Sequence, residues 1–527
     1  MSFENGVDAT RSDPLFLDTS TSSLLKTLRS LGKVRRGSSL STKASKTSLF
    51  FYGFGNLSPA IKSNFLGAPI FYYYNVVLGL DAWLVSLALA IALVIDGISD
   101  PLLGYVSDHT KSRWGRRHPY IYASILPGAL SYFFLIVADF GTEQLALFFQ
   151  LLLLITALRL AWTFYQIPRE ALGAEISKDY NQRNQLHGIN SVFGWIGGAG
   201  VAYLTSAVFL GESYDNLAGY HTLAYWGAGG ILLTGVIFAF GTHRDIPNLE
   251  GPKEDRPAGM GAIVGEIMKT LNHRSWLMLF FSGIIFSIYI GLTSGLTFYF
   301  NSFFWEWKPA DVAIFAIVDL AGAILISGFA GRLARGWDKK RLAVGLFSIA
   351  IFIGPILFIL RLLDIWYGIQ ILPENGPKYG SLWWIMLGHS FVQACVAVLA
   401  WILVNSMTAD VVEDSQAKTG KRSEGLFFAG PNLIQKSISG LGLMIKGIVL
   451  TIVGFTPDGT EAEKAAAIEG LAAVIVVLSI VMPVLSVWIF SRYQITRDIH
   501  DDNLESLGYV EKQAGPKREG LEAAGGS

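Results

Sequence analysis

Asp96 and Asp100 stand four residues apart in the run Val94-Ile-Asp-Gly-Ile-Ser-Asp-Pro101, inside a long apolar stretch. Residues with that spacing share one face of a helix. A carboxylate in hydrocarbon is costly enough that its presence there marks a site by default. With no cation beside them in sequence, the two carboxylates have the chemistry of a receptor for Na⁺ or H⁺. Pro101 has no N–H and cannot bond the carbonyl of Gly97. That carbonyl, Ser99 and the two aspartates therefore gather oxygen ligands, which hard cations favour, on about one helical turn. The alternative is a structural pair neutralised by Lys or Arg from a neighbouring helix.

Four cations fall within apolar segments: Lys62, Arg159, Lys436 and Lys446. Lys436, in Asn432-Leu-Ile-Gln-Lys-Ser, is placed to reach Asp96 or Asp100 across a cavity between two halves. Lys62 and Arg159 are each either a structural counter-ion or a substrate contact. Lys446 is nearer the end of its helix and is expected to snorkel, with no role assigned. Asp319 and His389 are expected mainly to hydrogen-bond internally, His389 being kept as a substrate candidate. Aromatic residues make up 13% of the chain. Trp162, Phe164 and Tyr165 either stack on the apolar face of a sugar ring or mark a bilayer interface, whereas Phe71-Tyr-Tyr-Tyr74 is expected at the interface.

The elements that must position these residues follow from composition. The chain has 527 residues, 52% hydrophobic and only 16% charged, where a soluble protein carries about a quarter charged residues. Its net charge is zero, so no bulk field attracts nucleic acid. The single cysteine, Cys395, excludes an intramolecular disulfide framework. The first 48 residues lack the apolar core of a signal peptide. A bilayer-spanning helix needs roughly 20 predominantly apolar residues. Twelve such stretches are present: 50–79, 83–106, 120–138, 144–168, 188–211, 223–242, 276–304, 311–331, 342–363, 383–406, 426–454 and 469–491. The chain is thus expected to be an all-α polytopic membrane protein.

An even number of spans puts both termini on one side, and the Lys/Arg bias says which. The termini and the loops 107–119, 169–187, 243–275, 332–341 and 407–425 hold 33 of the 41 Lys and Arg residues, against four in the opposite loops. Both termini are therefore expected in the cytoplasm. The loop 243–275 is the longest internal connection and divides the chain into an N-terminal tail (1–48), a first six-helix bundle (49–242), the linker, a second bundle (276–491) and a C-terminal tail (492–527). The loop after helix two, Gly104 to Arg117, is echoed by Gly331 to Arg341 after helix eight; both open on Gly and are basic. Two parallel halves fit a two-bundle transporter plan, although positive-inside bias alone also produces basic loops. Segment 22–36 is either an amphipathic helix on the inner membrane surface or a solvated tail, and 499–527 is expected to be disordered.

Several motifs in order along 48–492 resemble the glycoside–pentoside–hexuronide:cation symporters, a family within the major facilitator superfamily. They are Tyr52-Gly-Phe-Gly, Asp96-Gly-Ile-Ser-Asp-Pro-Leu-Leu-Gly104, Ser112-Arg-Trp-Gly-Arg-Arg-His-Pro119, Ile167-Pro-Arg-Glu-Ala-Leu-Gly-Ala-Glu, Met407-Thr-Ala-Asp-Val-Val412 and Lys418-Thr-Gly-Lys-Arg-Ser-Glu-Gly425. The resemblance implies the major facilitator fold, with alternating access of two bundles around a central site. It implies that Asp96 and Asp100 bind the coupling ion (Na⁺, Li⁺ or H⁺, with no other cofactor), that Ser99 and Thr163 lend oxygens, and that Lys436 faces them. Asp108, Arg113, Arg116 and Arg117 fall in the loop that such carriers move in conformational change. The expected partners are a small solute, the coupling cation and the bilayer, and the expected working unit is a monomer.

The departures bear on substrate. Where melibiose-transporting members have sugar-binding aspartates, this chain has Ala60 and Gln166, and an arginine of theirs aligns near Asn190–Ser191. With Lys62 and Arg159 added, the first half of the cavity reads as more positive, which points to an anionic solute such as a uronide. Lys62, Arg159, Trp162, Gln166, Asn190 and His389 are the substrate-contact candidates. The rival readings are a neutral glycoside, an amphipathic anion such as a lysophospholipid, and a non-transporting receptor. No nucleophile–base arrangement, metal-ligand cluster or nucleotide loop supports an enzyme.

Overall fold

The computed structural model describes residues 44–176, 180–246, 249, 273–293, 295–333, 338–376, 378–420 and 440–507. Ten of its helices are long and apolar enough to cross a membrane. The second span is Ala82–His109, the third His118–Val137, the fourth Gln144–Ile176, the fifth Tyr180–Leu204 and the sixth Leu217–His243. The eighth is Pro309–Leu333, the tenth Ser381–Thr419 and the twelfth Glu461–Phe490. The ninth runs as Lys339–Ile353 and Ile356–Tyr367, interrupted at Gly354-Pro355. Two further spans complete the twelve. The first is assembled from Lys46–Phe54, Leu57–Leu66 and Ala68–Tyr72, and Gly440–Ile452 is the described part of the eleventh. Lys436, the linker between 250 and 272, and segments 22–36 and 508–527 lie outside the described residues.

The first and seventh spans are broken at corresponding places. In the first, Gly67 leaves helical geometry ahead of Pro69, which supplies no N–H to the turn before it. In the seventh, Arg274–Thr293 stops and Thr297–Tyr299 restarts after Gly295, whose φ of 83° is readily open only to glycine. Past each break the chain widens into a π-helix, Tyr73–Val77 and Phe300–Phe304, and the fifth span ends the same way at Thr205–Leu210. Single π turns recur where a helix has work beyond spanning.

Within the first half, the third span packs on the fourth and sixth, the second on the fourth, and the first on the fifth and sixth. In the second half the eighth packs on the tenth, the seventh on the twelfth, and the ninth on both. The halves meet where the eighth span lies along the fifth and the restart of the seventh meets that of the first. This is the two-bundle plan that the sequence predicts.

At the face where the described residues begin and end, each half has a matching ionic tie. Glu175, near the end of the fourth span, receives Arg116 at 2.8 Å and Arg117 at 2.9 Å; Arg117 also reaches Asp108 and, at 2.7 Å, Ser107. The tenth span's Asp410 receives Lys339 at 2.7 Å from the equivalent loop. Arg113 does not join its neighbours; its guanidinium lies over Trp114. Two loops that echo each other in sequence thus share a role in the fold, each pinning itself to the long helix of its own half. The closing helix Arg497–Ser506 docks on the tenth span through His500 with Glu413 and Asn503 with Asp414.

At the opposite face the halves are sealed together. Phe71, Tyr72, Tyr73 and Tyr74 are all buried, which corrects the expectation that they mark a bilayer interface. Tyr72 packs its ring against Phe298, Tyr299 and Phe303, and its hydroxyl donates to Asp215 at 2.9 Å. Tyr299 donates to Asn75 at 2.7 Å, and the Ala310 N–H to the Gly211 carbonyl at 3.0 Å. Among the described residues, the hydrogen bonds that cross between the bundles gather at this end. An exposed ion pair, Lys308–Glu212 at 2.6 Å, also crosses, but surface pairs of that kind contribute little. The seal is made by rings and backbone.

Candidate functional site

The second and fourth spans run side by side in a register that repeats every four residues. Asp96 faces Arg159, whose Nη1 donates to Asp96 Oδ2 at 2.7 Å. One turn on, Thr163 Oγ1 donates to Asp100 Oδ1 at 2.9 Å. One turn further, Gly104 faces Ile167, with a Cβ at Gly104 falling 3.8 Å from the isoleucine side chain. Ser99 joins from the side, its Oγ 3.3 Å from Thr163 Oγ1. Ser99, Asp100 and Thr163 therefore meet through their side chains, and Asp96 joins them through its carbonyl, which accepts from Ser99 Oγ at 3.3 Å. The helix runs unbroken through Pro101, which still supplies no N–H to the Gly97 carbonyl.

Electrostatics decide what this cluster can do. Asp100 is 8% exposed, and the side chains of Asp96 and Arg159 are each 15% exposed. Arg159 balances the carboxylate of Asp96, and Asp100, which accepts from Thr163, brings a second carboxylate to the same wall, the kind of oxygen ligand a hard cation favours. Arg159, open in sequence between counter-ion and substrate contact, is the counter-ion of Asp96. Removing one member of a buried pair strands the other and costs about 3 kcal/mol. Arg159→Gln is therefore expected to lower thermal stability markedly, and Asp96→Asn added to it to restore part of the loss. A loss in the double variant equal to the sum of the two single-variant losses would show that the pair does not interact.

The remaining candidates disperse. Lys62 lies over the ring of Trp162, 4.6 Å from its centre, linking the first span to the fourth. Gln166 donates to Glu170 on its own helix. Asn190 is committed to structure: its Oδ1 accepts from Arg169 and its carbonyl from Asn56. His389 is in the other half, donating from Nε2 to the Ile353 carbonyl at 2.8 Å. Lys436 lies outside the described residues.

Two buried cations depart from the sequence reading. The fourth span continues to Ile176, so Arg169, placed by hydropathy in a loop, is inside the bundle and 1% exposed. It is held by the Tyr52 carbonyl at 3.2 Å and stacks over the rings of Tyr52 and Phe238. A Pro-Arg step at the end of an apolar run is the only signal for it in sequence. Lys446 does not snorkel; it is 1% exposed, with Nζ 4.0 Å above the centre of the Phe71 ring. There it sits where the breaks in the first and seventh spans touch: a Cβ on Gly295 would fall 3.1 Å from Lys446 Nζ and 3.2 Å from the Gly67 carbonyl.

A cavity of about 520 Å³ opens in the second half, beside Asp319 and His389. The Oγ of Ser390 donates to Asp319 Oδ1 at 2.5 Å.

Comparison with known proteins agrees with this architecture. The family model described as MFS/sugar transport protein matches residues 51–497. An uncharacterized symporter of Synechocystis sp. is 24% identical over 563 residues, covering 88% of this chain and 96% of its own. The inner membrane symporter YicJ of Escherichia coli is 23% identical, covering 84% and 90%. The isoprimeverose transporter of Lactiplantibacillus pentosus is 22% identical, covering 79% and 82%. Among solved structures, the nucleoside transporter NupG superposes with a TM-score of 0.54 at 15% identity, covering 85% of this chain and 100% of its own. A bacterial homologue of the human lysosomal transporter Spinster, in an inward-facing and occupied conformation, gives 0.56 at 14% identity, covering 84% and 94%.

Proposed function

The chain belongs to the MFS/sugar transport protein family, and from that premise we propose that it carries a sugar or glycoside across a membrane in symport with a monovalent cation, by alternating access. The observation that carries the cation is the paired register of the second and fourth spans, which collects Asp96, Ser99, Asp100 and Thr163 on one wall as oxygen ligands. Sugar as cargo rests on the family and on relatives named as an isoprimeverose transporter and as lactose permeases. The coupling ion is Na⁺, Li⁺ or H⁺. The membrane is a bacterial inner membrane or a plasma membrane, and the carrier works as a monomer.

The excess of Lys and Arg in the terminal-side loops supports a cytoplasmic position for both ends. The aromatic seal then faces the outside, and the conformation is an inward-facing one. Arg159 is matched by Asp96, so the first half offers less surplus positive charge than Lys62 and Arg159 together imply. That weakens the case for a uronide as the solute.

The test is uptake of labelled sugars into proteoliposomes under an imposed Na⁺ gradient, Li⁺ gradient or pH gradient. One of these gradients is expected to accelerate uptake severalfold over equilibrated vesicles. Uptake that ignores all three would remove symport and leave facilitated diffusion.

A further inference from the structure

We infer that the cavity beside Asp319 is the solute-binding pocket for a neutral, hydroxyl-rich ring, and that it rejects the corresponding uronide. This rests on the sugar-symport reading and gives it a location and a charge preference. The volume, about 520 Å³, is in the range of small-molecule pockets, which are mostly apolar with a few placed polar groups. The polar groups include Asp319, Asn301, His389, Ser390 and Gln393, and the apolar wall includes Trp305, Phe315 and Phe358.

The chemistry of that lining is selective. Asp319 is a membrane-embedded carboxylate whose Oδ1 is held by Ser390, and its Oδ2 takes no hydrogen bond among the described residues. A carboxylate oxygen accepts from a hydroxyl and cannot accept from another carboxylate. His389 spends Nε2 on the Ile353 carbonyl. The side-chain amides of Asn301 and Gln393 both donate and accept, as a ring of hydroxyls requires. The aromatic wall matches the apolar face of a pyranose. Among its described lining residues there is no Lys or Arg, so an anionic sugar would meet Asp319 with no cation between them.

The location also fits a moving cargo. The seventh, eighth, ninth, tenth and twelfth spans build the pocket, and Ser206 of the fifth closes one side. The pocket therefore reaches the seam between the halves, just inside the aromatic seal, where one half must slide past the other.

The experiment is binding to the purified full-length protein in saturating Na⁺, read by thermal shift and by equilibrium dialysis. The probes are a panel of neutral mono- and disaccharides, including isoprimeverose and lactose, and the methyl glucuronide and galacturonide. At least one neutral sugar is expected to bind wild type more than tenfold tighter than either uronide. Asp319→Asn is expected to weaken that sugar at least tenfold, and Gln393→Ala severalfold. Stabilisation by Na⁺ alone, retained in both variants, shows that they fold. Equal sugar affinity in wild type and Asp319→Asn, or preference for a uronide, overturns the pocket while leaving symport standing. If no sugar of either class binds wild type, the pocket and the sugar reading fall together.

Discussion

Asp100→Asn is expected to abolish the stabilisation that the coupling ion gives the folded protein. A ligand that binds only the folded state raises stability by about 2.7 kcal/mol at a hundredfold excess over its Kd. Wild type should therefore melt at a clearly higher temperature in Na⁺ or Li⁺ than in K⁺, and the variant should melt alike in all three. The asparagine keeps the shape and can still accept from Thr163, so the backbone register of the two spans survives. What is lost is a carboxylate: Asp96 is already paired with Arg159, so the wall loses the charged oxygen that would draw a cation into a low-dielectric setting. If H⁺ is the coupling ion, the difference between wild type and variant appears as a dependence of melting on pH, with the alkali ions interchangeable. Melting of wild type that ignores both the alkali ion and pH would remove the site.

The second large effect concerns closure. Gly447, on the eleventh span, lies against the second span so closely that a Cβ would fall 2.6 Å from the Ala82 carbonyl and 2.2 Å from Ser86 Oγ. Backbone offers no rotamer by which to escape. Gly447→Val is expected to wedge the two bundles apart at the sealed face. Since the clash exists only when the bundles are closed there, the variant should still fold while populating the open form, with transport reduced at least tenfold. A cysteine introduced at Ser302, with Cys395→Ser, should become accessible to an impermeant maleimide in the valine variant and stay protected without it. Protection in both, with normal transport, would mean that the close approach has no part in the cycle.

The spans were legible because hydropathy over some twenty residues is a strong signal, and the helix-two aspartates because charge within such a run is rare. Partners were less legible. Arg159 sits 63 positions from Asp96, and only the register of two packed helices tells that they meet. Tyr72 to Tyr74 were misread since tyrosine is common at membrane interfaces, and nothing local says that the first span's end is covered by the seventh. The fourth span outran its apolar core by a further two turns, carrying Arg169 and Glu175 into the protein, where stacked rings and paired arginines replace hydrophobicity as the stabilising contacts. Asn190 read as a substrate contact because the sequence could not show that Arg169 occupies it. Asp319 and His389 were noticed as polar residues, but the empty volume beside them is a property of five helices and belongs to no single stretch of chain.

The aromatic seal gives the transport cycle a thermal character. Closing that face withdraws rings such as Tyr72 and Phe298 from the water they meet when it opens, and burial of apolar surface carries a negative heat-capacity change. The balance between the two access states is therefore curved in temperature. Near ambient conditions closure is driven by released water and weakens on cooling. The cold biases this carrier toward leaving its aromatic door ajar.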